Sequence, residues 1–207
     1  EVNIVTVEDP IEYDMKYINQ TQVNSAQGIT FASGLREIVR QDPNIVMVGE
    51  VRDQETADIA VQAALTGHLV LSSLHTNDAP TAIPRLLDLK VPPFLAAAVL
   101  NLVAAQRLVR RICLSCITSY TPEPHILESI KKQLTELKID SNIKLPKMLY
   151  KGLGCSSCGQ TGYKGRLGIF EMLNVTEEIR QLIVSPEFTL DALGEAARQQ
   201  GMMTMFE

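Results

Sequence analysis

The chain has 207 residues, 45% hydrophobic and 21% charged, which is enough apolar material for one ordinary core and a smaller appendage. Its net charge of -5 disfavours nucleic acid as a partner, because binding a polyanion depends on clustered Lys and Arg. The longest mostly apolar run, residues 91–105, contains two prolines and is shorter than the roughly 20 residues that span a bilayer. Composition therefore predicts a soluble globular protein without a transmembrane segment, and no nucleic acid is expected as a partner.

The first hundred residues alternate short apolar strands with amphipathic helices, which is typical of an α/β fold with a parallel sheet. Strands are predicted at residues 2–7, 45–48 and 68–75. Helices are predicted at residues 31–41, 55–65, 77–89 and 93–111. Because the first strand begins with the chain itself, we expect the sequence to be a fragment of a longer polypeptide.

The pattern changes at Cys113. Residues 113–158 hold all four cysteines and a polar helical segment at 125–138, so we expect a separate small module there. A strand is predicted at 162–173, followed by helices at 176–184 and 189–200. The predicted domains are residues 1–112, 113–160 and 161–207.

Acidic residues follow two of the predicted strands. Glu8 and Asp9 end the first strand, and Glu50 follows the strand at 45–48. The carboxyl ends of parallel strands share one edge, where ligands bind in open α/β sheets. Two carboxylates there suit phosphoryl transfer, in which one acts through Mg²⁺ and the other orients or deprotonates the attacking water. Alternatively, such acids cap the next helix or face solvent.

Two histidines bracket the strand at 68–75. His75 lies at its carboxyl end, near the predicted acids, where it could contact a γ-phosphate. His68 lies at the opposite end, and the spacing of seven puts the two side chains on opposite faces of an extended strand. A structural role is the alternative for each of them.

The cysteines are spaced as two C-x-x-C pairs, Cys113 with Cys116 and Cys155 with Cys158. Each pair can hold a tetrahedral metal from a tight turn, and four thiolates favour Zn²⁺. A closed site of this kind stabilises a fold and is not catalytic. Disulfides are the alternative, disfavoured because no secretion signal opens the chain.

Two arginines, Arg36 and Arg40, are spaced i, i+4 on the polar face of the first predicted helix. One of them could reach a phosphate bound to a neighbouring subunit. The alternative is a solvated helix face on which the arginines pair with nearby acids such as Glu37.

Seven segments of the chain resemble the C-terminal half of the ATPases of type II secretion and type IV pilus assembly. They are VTVEDPIEY at 5–13 (the Asp box), NIVMVGEVRD at 44–53 (Walker B), AALTGHLVLSSLHTND at 63–78 (the His box), AQRLVRRIC at 105–113, the two C-x-x-C pairs, and GYKGRLGIFEML at 162–173. The resemblance covers nearly the whole chain and implies a RecA-like P-loop NTPase core, truncated on its N-terminal side, with an inserted four-cysteine zinc module and C-terminal helices.

The resemblance implies site residues and cofactors. Glu8 would be the general base, Glu50 the acid acting through Mg²⁺, and His75 a γ-phosphate contact, with Asp9 and His68 also near the nucleotide. The implied cofactors are ATP, Mg²⁺ and Zn²⁺. The sequence contains no G-x-x-x-x-G-K-[ST] loop, so we expect the isolated chain to be inactive.

The resemblance also implies a function and partners. The parent protein would be a cytoplasmic homo-hexameric motor, associated peripherally with the inner-membrane complex, that acts on a platform protein to assemble pilins or pseudopilins. Two alternatives stay open: a DNA-uptake ATPase of the same superfamily, and a non-catalytic zinc-containing scaffold that has lost the phosphate loop.

Overall fold

The computed structural model describes residues 2–136 and 145–207. Its strands are β1 (Ile4–Glu8), β2 (Asn19–Gln22), β3 (Ile45–Val48), β4 (Leu69–Ser72), β5 (Leu102–Ile112), β6 (Ile117–Tyr120), β7 (Leu149–Gly152) and β8 (Tyr163–Asn174). Its α-helices are α1 (Phe31–Ile38), α2 (Gln54–Leu65), α3 (Ala82–Asp88), α4 (Pro93–Val99), α5 (Pro124–Glu136), α6 (Glu177–Val184) and α7 (Leu190–Gln199). None of the helices described combines the length and the apolar character that crossing a membrane requires.

The chain divides into two compact units. The first contains the residues up to Gln106 together with Phe170–Glu207, and the second contains Arg107–Ile169. These limits differ from the predicted domains 1–112, 113–160 and 161–207. The reason is that β5 and β8 are long paired strands, and each of them runs from one unit into the other.

A four-stranded parallel sheet in the order β2-β1-β3-β4 forms the centre of the first unit, which confirms the predicted α/β fold with a parallel sheet. β1 and β3 are the two inner strands. Their valines Val5, Val7, Val46 and Val48 are at most 1% exposed. All four valines lie on one face of the sheet, because the register pairs Val5 with Val46 and Val7 with Val48, and Thr6, on the other face of β1, is also only 1% exposed.

Local contacts fix the start of α2 and the packing of α1 on β1. Asp53 begins α2, because its Oδ1 accepts a hydrogen bond from the backbone N–H of Thr56 at 2.8 Å. Gly34 in α1 lies so close to β1 that a Cβ atom there would come within 2.9 Å of the Val7 side chain. The N-cap thus fixes where α2 begins, and α1 packs directly on β1, the strand that ends in Glu8.

The predicted helix at 93–111 is wrong beyond its first two turns. α4 ends at Val99, and the following residues form β5, which pairs with β8. At one end of this pair, the Val175 N–H donates to the Asn101 carbonyl at 2.9 Å. The apolar spacing of these residues fits a helix. The backbone of β5 instead forms its hydrogen bonds with β8, a strand some seventy residues further along the chain.

The other predicted elements agree with the structure in type. The helices predicted at 55–65, 176–184 and 189–200 are confirmed as α2, α6 and α7. The helix of the cysteine module is confirmed as α5, and the last two residues of that prediction, at 137–138, lie outside the described residues. β2, β6 and β7 were not predicted, because they are short and polar.

A second buried cluster joins α6 and α7 to α3 and α4. Its largest fully buried side chains are Ile83, Leu173, Ile179, Ile183 and Leu193. Two residues before Leu173 in the chain, the Glu171 carboxylate is 4% exposed and accepts hydrogen bonds from Ala79 N at 2.8 Å and Met205 N at 3.3 Å. Glu171 therefore ties the segment after β4 to the end of the chain.

Replacement of Glu171 by Ala is expected to lower the free energy of unfolding by about 1–3 kcal/mol, because the buried N–H of Ala79 would lose its acceptor. Chemical denaturation measures this change. The matched control is Glu187→Ala, an exposed acid, with an expected change within about 0.5 kcal/mol. Equal losses in the two variants would contradict the role given to Glu171.

Candidate functional site

The parallel sheet brings two acids to one edge. Glu8 ends β1 and Glu50 follows β3, and the register pairs Val7 with Val48. The Gly49 N–H extends this pairing with a hydrogen bond to the Val7 carbonyl at 2.8 Å. Glu8 and Glu50 are each 8% exposed, so neither is an acid that simply faces solvent. The structure therefore brings the two predicted carboxylates to the same edge of the sheet.

Two side chains hold the Glu50 carboxylate. Arg52 forms an ion pair with Oε1, and His75 Nε2 lies 2.7 Å from Oε2. Burial by itself would raise the pKa of Glu50, but the hydrogen bonds and charges of Arg52 and His75 outweigh burial and hold this pKa below its usual value. The result is an ionised, nearly buried carboxylate at neutral pH.

Glu8 has different neighbours. Thr6 Oγ1 and Gln20 Nε2 both donate to Glu8 Oε1, at 2.5 Å and 2.8 Å. In the part of the chain that the structure describes, Oε2 of Glu8 has no hydrogen-bond partner. A carboxylate held by one oxygen and open at the other is able to accept a proton from a nearby water.

Only one of the two predicted histidines lies at this edge. The side chain of His75 is 77% exposed and contacts Glu50. His68 lies just before β4, where its Nδ1 is 2.9 Å from the Ala63 carbonyl and 3.0 Å from Thr66 Oγ1. His68 therefore fastens the end of α2 at the opposite edge, and a nucleotide contact for it stays a prediction.

Asp9 shares the electrostatic neighbourhood of Glu50. The pKa of Arg52 is raised, first by its hydrogen bond to Glu50 and to a smaller extent by the charge of Asp9. Asp9 is itself exposed, beside the buried Glu8.

The two predicted arginines lie on an exposed surface. Arg36 forms an ion pair with Glu55 at 2.6 Å, and Arg40 lies 3.7 Å from Glu37. Pairing of Arg40 with Glu37 is the alternative that the sequence suggested. A phosphate contact to a neighbouring subunit stays a prediction for both arginines.

Three residues that the sequence analysis missed contact the acids: Thr6, Gln20 and Arg52. Arg52 lies two residues after Glu50, but both follow the end of β3, where strand spacing gives no signal. Thr6 had a local signal, because it lies two residues before Glu8 in β1, and in a strand that spacing puts side chains on one face. Gln20 had none. It reaches Glu8 because the β1–β2 register pairs it with Thr6.

The four cysteines form a compact cluster in the second unit. Their Sγ atoms lie within 4.8 Å of one another, and three of the separations are 3.8–3.9 Å. A disulfide needs a separation of about 2.05 Å, so all four thiols are free. Sulfurs bound at about 2.3 Å to one tetrahedral ion lie about 3.8 Å apart, so the cluster fits zinc.

The backbone around the second pair supports this arrangement. The N–H groups of Cys155 and Gly162 donate to Cys158 Sγ at 3.2 Å and 3.3 Å. Burial opposes ionisation of Cys158, but these donors lower its pKa to about 6, whereas burial raises the pKa of Cys116 to about 11. A Cβ atom on Gly152 would lie 2.0 Å from the Gly162 carbonyl oxygen, so the backbone passes too closely here for a side chain.

An apolar cavity of about 280 Å³ lies in the first unit beside β4, lined in part by Val70 and Leu102. Among the described residues, β4 is the outermost strand on its side of the sheet. Its Leu69 and Leu71 are 51% and 50% exposed. An apolar strand left at an edge presents backbone groups that are able to pair with a further strand.

A known protein family and several known proteins match most or all of this chain. The whole chain, residues 1–207, matches the family described as "Type II/IV secretion system protein". The type IV pilus assembly ATPase TfpB of Acinetobacter baylyi is 50% identical over 206 residues, which are 99% of this chain and 34% of that protein. The type II secretion system ATPase E of Vibrio cholerae is 52% identical over 185 residues, which are 89% of this chain and 35% of that protein. The chain thus spans about a third of the length of these two relatives.

Solved structures show the same fold. The pilus retraction motor PilT with bound ADP has a TM-score of 0.65 and 28% identity, covering 99% of this chain and 46% of that one. The Legionella pneumophila ATPase DotB has a TM-score of 0.62 and 21% identity, covering 99% of this chain and 45% of that one. Both likenesses are consistent with an α/β fold of the ATPase type.

The lowered pKa of Glu50 predicts a contribution to stability that depends on pH. Because its folded-state pKa lies below its ordinary value of 4.5, the contribution is fully present above that value and is lost as the pH falls through the folded pKa. The free energy of unfolding of the wild type should therefore fall more steeply than that of Glu50→Gln between about pH 6 and about pH 3. Denaturant titrations at several pH values measure both.

The control for this prediction is Glu12→Gln, which removes an exposed carboxylate. Its pH profile should run parallel to that of the wild type. A constant difference between wild type and Glu50→Gln at every pH would contradict the assignment of Glu50 as a stabilised carboxylate.

Proposed function

The chain belongs to the type II/IV secretion system protein family, and on that premise we propose that it forms the catalytic-acid part of a cytoplasmic motor that hydrolyses ATP. The work done would be the assembly of pilin or pseudopilin subunits, in type IV pilus biogenesis or type II secretion. The names of the two relatives, a pilus assembly ATPase and a secretion ATPase, support this role.

The observation that carries the proposal is the pair of nearly buried carboxylates at one edge of a parallel sheet, each with its own set of contacts. Glu50 is held ionised by Arg52 and His75, while Glu8 is held through a single oxygen. Hydrolysis of a phosphoanhydride uses one acid near the metal and another near the water, and these two environments match those two tasks.

In the proposed reaction, Glu8 Oε2 accepts a proton from a water molecule whose oxygen attacks the γ-phosphorus of ATP. The bond between that phosphorus and the β–γ bridging oxygen breaks, and ADP leaves with the bridging oxygen. His75, with its exposed ring, would turn from Glu50 toward the γ-phosphate. Asp9 would add negative charge near the same edge.

The donor set fits Mg²⁺, which prefers carboxylate oxygens and water as ligands. Glu50 would hold the ion through a water molecule of its hydration shell, with Oε1 still paired with Arg52 and Oε2 released as His75 turns away. When bound with ATP, the ion supplies neutralisation of the charge on the β and γ phosphates.

The phosphate-binding loop would come from the part of the protein that this chain does not cover. The chain has no G-x-x-x-x-G-K-[ST] motif and spans only about a third of two relatives. We propose that a strand leading to such a loop pairs with the outer edge of β4 and fills the cavity beside it, which would complete a RecA-like core. The exposed Leu69 and Leu71 support this, because they would then be covered.

We further propose a homo-hexamer, associated peripherally with the inner-membrane complex, that acts on a platform protein. In such a ring, Arg36 or Arg40 would reach the nucleotide of a neighbouring subunit, and His68 would also lie near a nucleotide. The exposed side chains of Arg36, near the end of α1, and of Arg40, just beyond that helix, support this assignment.

The cysteine cluster would hold a structural Zn²⁺. Within the described residues of the second unit, Cys113 is the only buried hydrophobic residue, and α5 buries none. A unit with so small a core needs a further source of stability, which a tetrahedral metal provides when bound.

Hydrolysis of Mg-ATP by the full-length protein is the decisive test. Glu8→Gln should lower kcat by about 10²–10⁴-fold, because the amide is not able to accept the proton. Glu50→Gln should also remove most turnover, because a neutral amide no longer attracts the ion. Release of phosphate measures both effects, and Glu12→Gln, an exposed acid near the same strand, is the matched control.

A folded, ring-forming wild type without ATP turnover would overturn the proposal and favour the non-catalytic scaffold. If neither substitution changes the rate of ATP hydrolysis, Glu8 and Glu50 have a structural role and not a catalytic one. Turnover that depends on DNA in the assay would favour the DNA-uptake alternative over assembly of pilins.

Zinc removal gives an independent prediction. Protein purified under reducing conditions should contain about one zinc per chain, and a chelator should lower the melting temperature. Cys155→Ser should lose the metal, whereas Ser156→Ala, one residue later in the chain, should keep it. Metal analysis that finds no zinc in the wild type would contradict this assignment.

A further inference from the structure

The side-chain amide of Gln20 joins the Glu8 carboxylate to a loop on the surface. Gln20 Nε2 donates to Glu8 Oε1 at 2.8 Å and also to the Tyr13 carbonyl at 3.0 Å, and Gln20 Oε1 accepts from the Met15 N–H at 2.8 Å. Both N–H groups of the amide and its oxygen are therefore used. This one planar group contacts the acid on one side and the loop on the other.

The loop in question, residues 11–18, is largely exposed and connects β1 to β2. The exposed fractions of Tyr13 and Tyr17 are 80% and 100%. The other hydrogen bonds of the loop are longer, from Ile11 N to the Gln22 side chain and from Ile18 N to the Met15 carbonyl, both at 3.4 Å. The short polar contacts of the loop are thus those made by Gln20.

The position of Gln20 follows from the sheet. The parallel register pairs Gln20 with Thr6, and Thr6 lies two residues before Glu8 on the same face of β1. Gln20 and Thr6 donate to the same carboxylate oxygen, which directs the other oxygen of Glu8 away from both donors. Lys or Arg at this position would place a full positive charge beside the carboxylate. The neutral amide of Gln20 orients the carboxylate without that charge.

We propose that Gln20 is a positioning residue that fixes the direction of Glu8 Oε2 and ties this direction to the conformation of the 11–18 loop. The inference rests on the proposed function, in which Glu8 is the base. When the loop is displaced, Gln20 loses its hydrogen bonds with the Tyr13 carbonyl and the Met15 N–H, which hold the plane of its amide. Glu8 then loses the hydrogen bond that Gln20 donates. The loop thereby controls how well the base is aligned.

The test uses the full-length protein with the substitutions Gln20→Leu and Gln20→Asn. Leu keeps the approximate size and removes all three hydrogen bonds, and Asn keeps the amide on a side chain too short to reach both sides. Each variant should lower kcat for Mg-ATP about tenfold to a hundredfold and leave KM within about twofold, because alignment of the base matters to the transition state and not to nucleotide binding. Asn19→Leu, at an exposed position of the same strand, is the matched control, with kcat expected to be unchanged.

A second readout follows the loop itself and does not need ATP turnover. Brief trypsin digestion of the folded protein, with mass spectrometry of the bond after Lys16, reports how often the loop opens. Gln20→Leu should speed this cleavage about tenfold. Glu8→Ala should also speed it, about threefold or more, because coupling between two sites is reciprocal. Asn19→Leu again serves as the control.

The outcomes separate this inference from the proposed function. A wild type that does not hydrolyse ATP would overturn the function, while the trypsin data would still measure the coupling between Glu8 and the loop. Normal kcat in both Gln20 variants, or a rise in KM alone, would overturn the positioning role. Cleavage after Lys16 that is unaffected by Glu8→Ala would overturn the link to the loop. Melting curves identify any variant that fails to fold. If Gln20→Leu does not fold, Gln20→Asn is used to test the inference.

Discussion

The parallel pairing of β1 with β2 on one side and with β3 on the other is the constraint on which the site depends. It brings Glu8 and the segment of Glu50 to one edge, because strands that run in the same direction end at the same edge. It also sets Gln20 beside Thr6. A slip of one residue in either pairing would turn these side chains to the opposite face. The buried valines, which fix the register, therefore also fix the positions of the acidic side chains.

The two carboxylates at this edge are alike in type and in burial, yet their partners differ. The guanidinium of Arg52 and the imidazole of His75 contact Glu50 and favour its ionised form. Glu8 is met by a hydroxyl and an amide, which are neutral and orient one oxygen only. Different environments allow two identical groups to perform different tasks. One site can in this way contain both an acid that acts through the metal ion and a general base.

The second unit depends on a different kind of constraint. Its described residues bury little apolar surface, so its order relies on backbone geometry around the four thiols. Gly152 and Gly162 let two backbone segments meet more closely than side chains allow, and N–H groups point at Cys158 Sγ. The first unit is stable through its apolar core, whereas the second is shaped around a group of sulfurs that fits a metal.

The sequence by itself determined the features that local chemistry controls. Buried strands at β1 and β3, the capped helix α2, and the C-x-x-C turns each follow from a few neighbouring residues. The tertiary structure alone decided that residues 102–112 form a strand and that Gln20 reaches Glu8. It also decided where the two units divide. The reason is physical: these features depend on partners twelve to about seventy residues away, and no local spacing encodes which distant backbone will supply the hydrogen bonds.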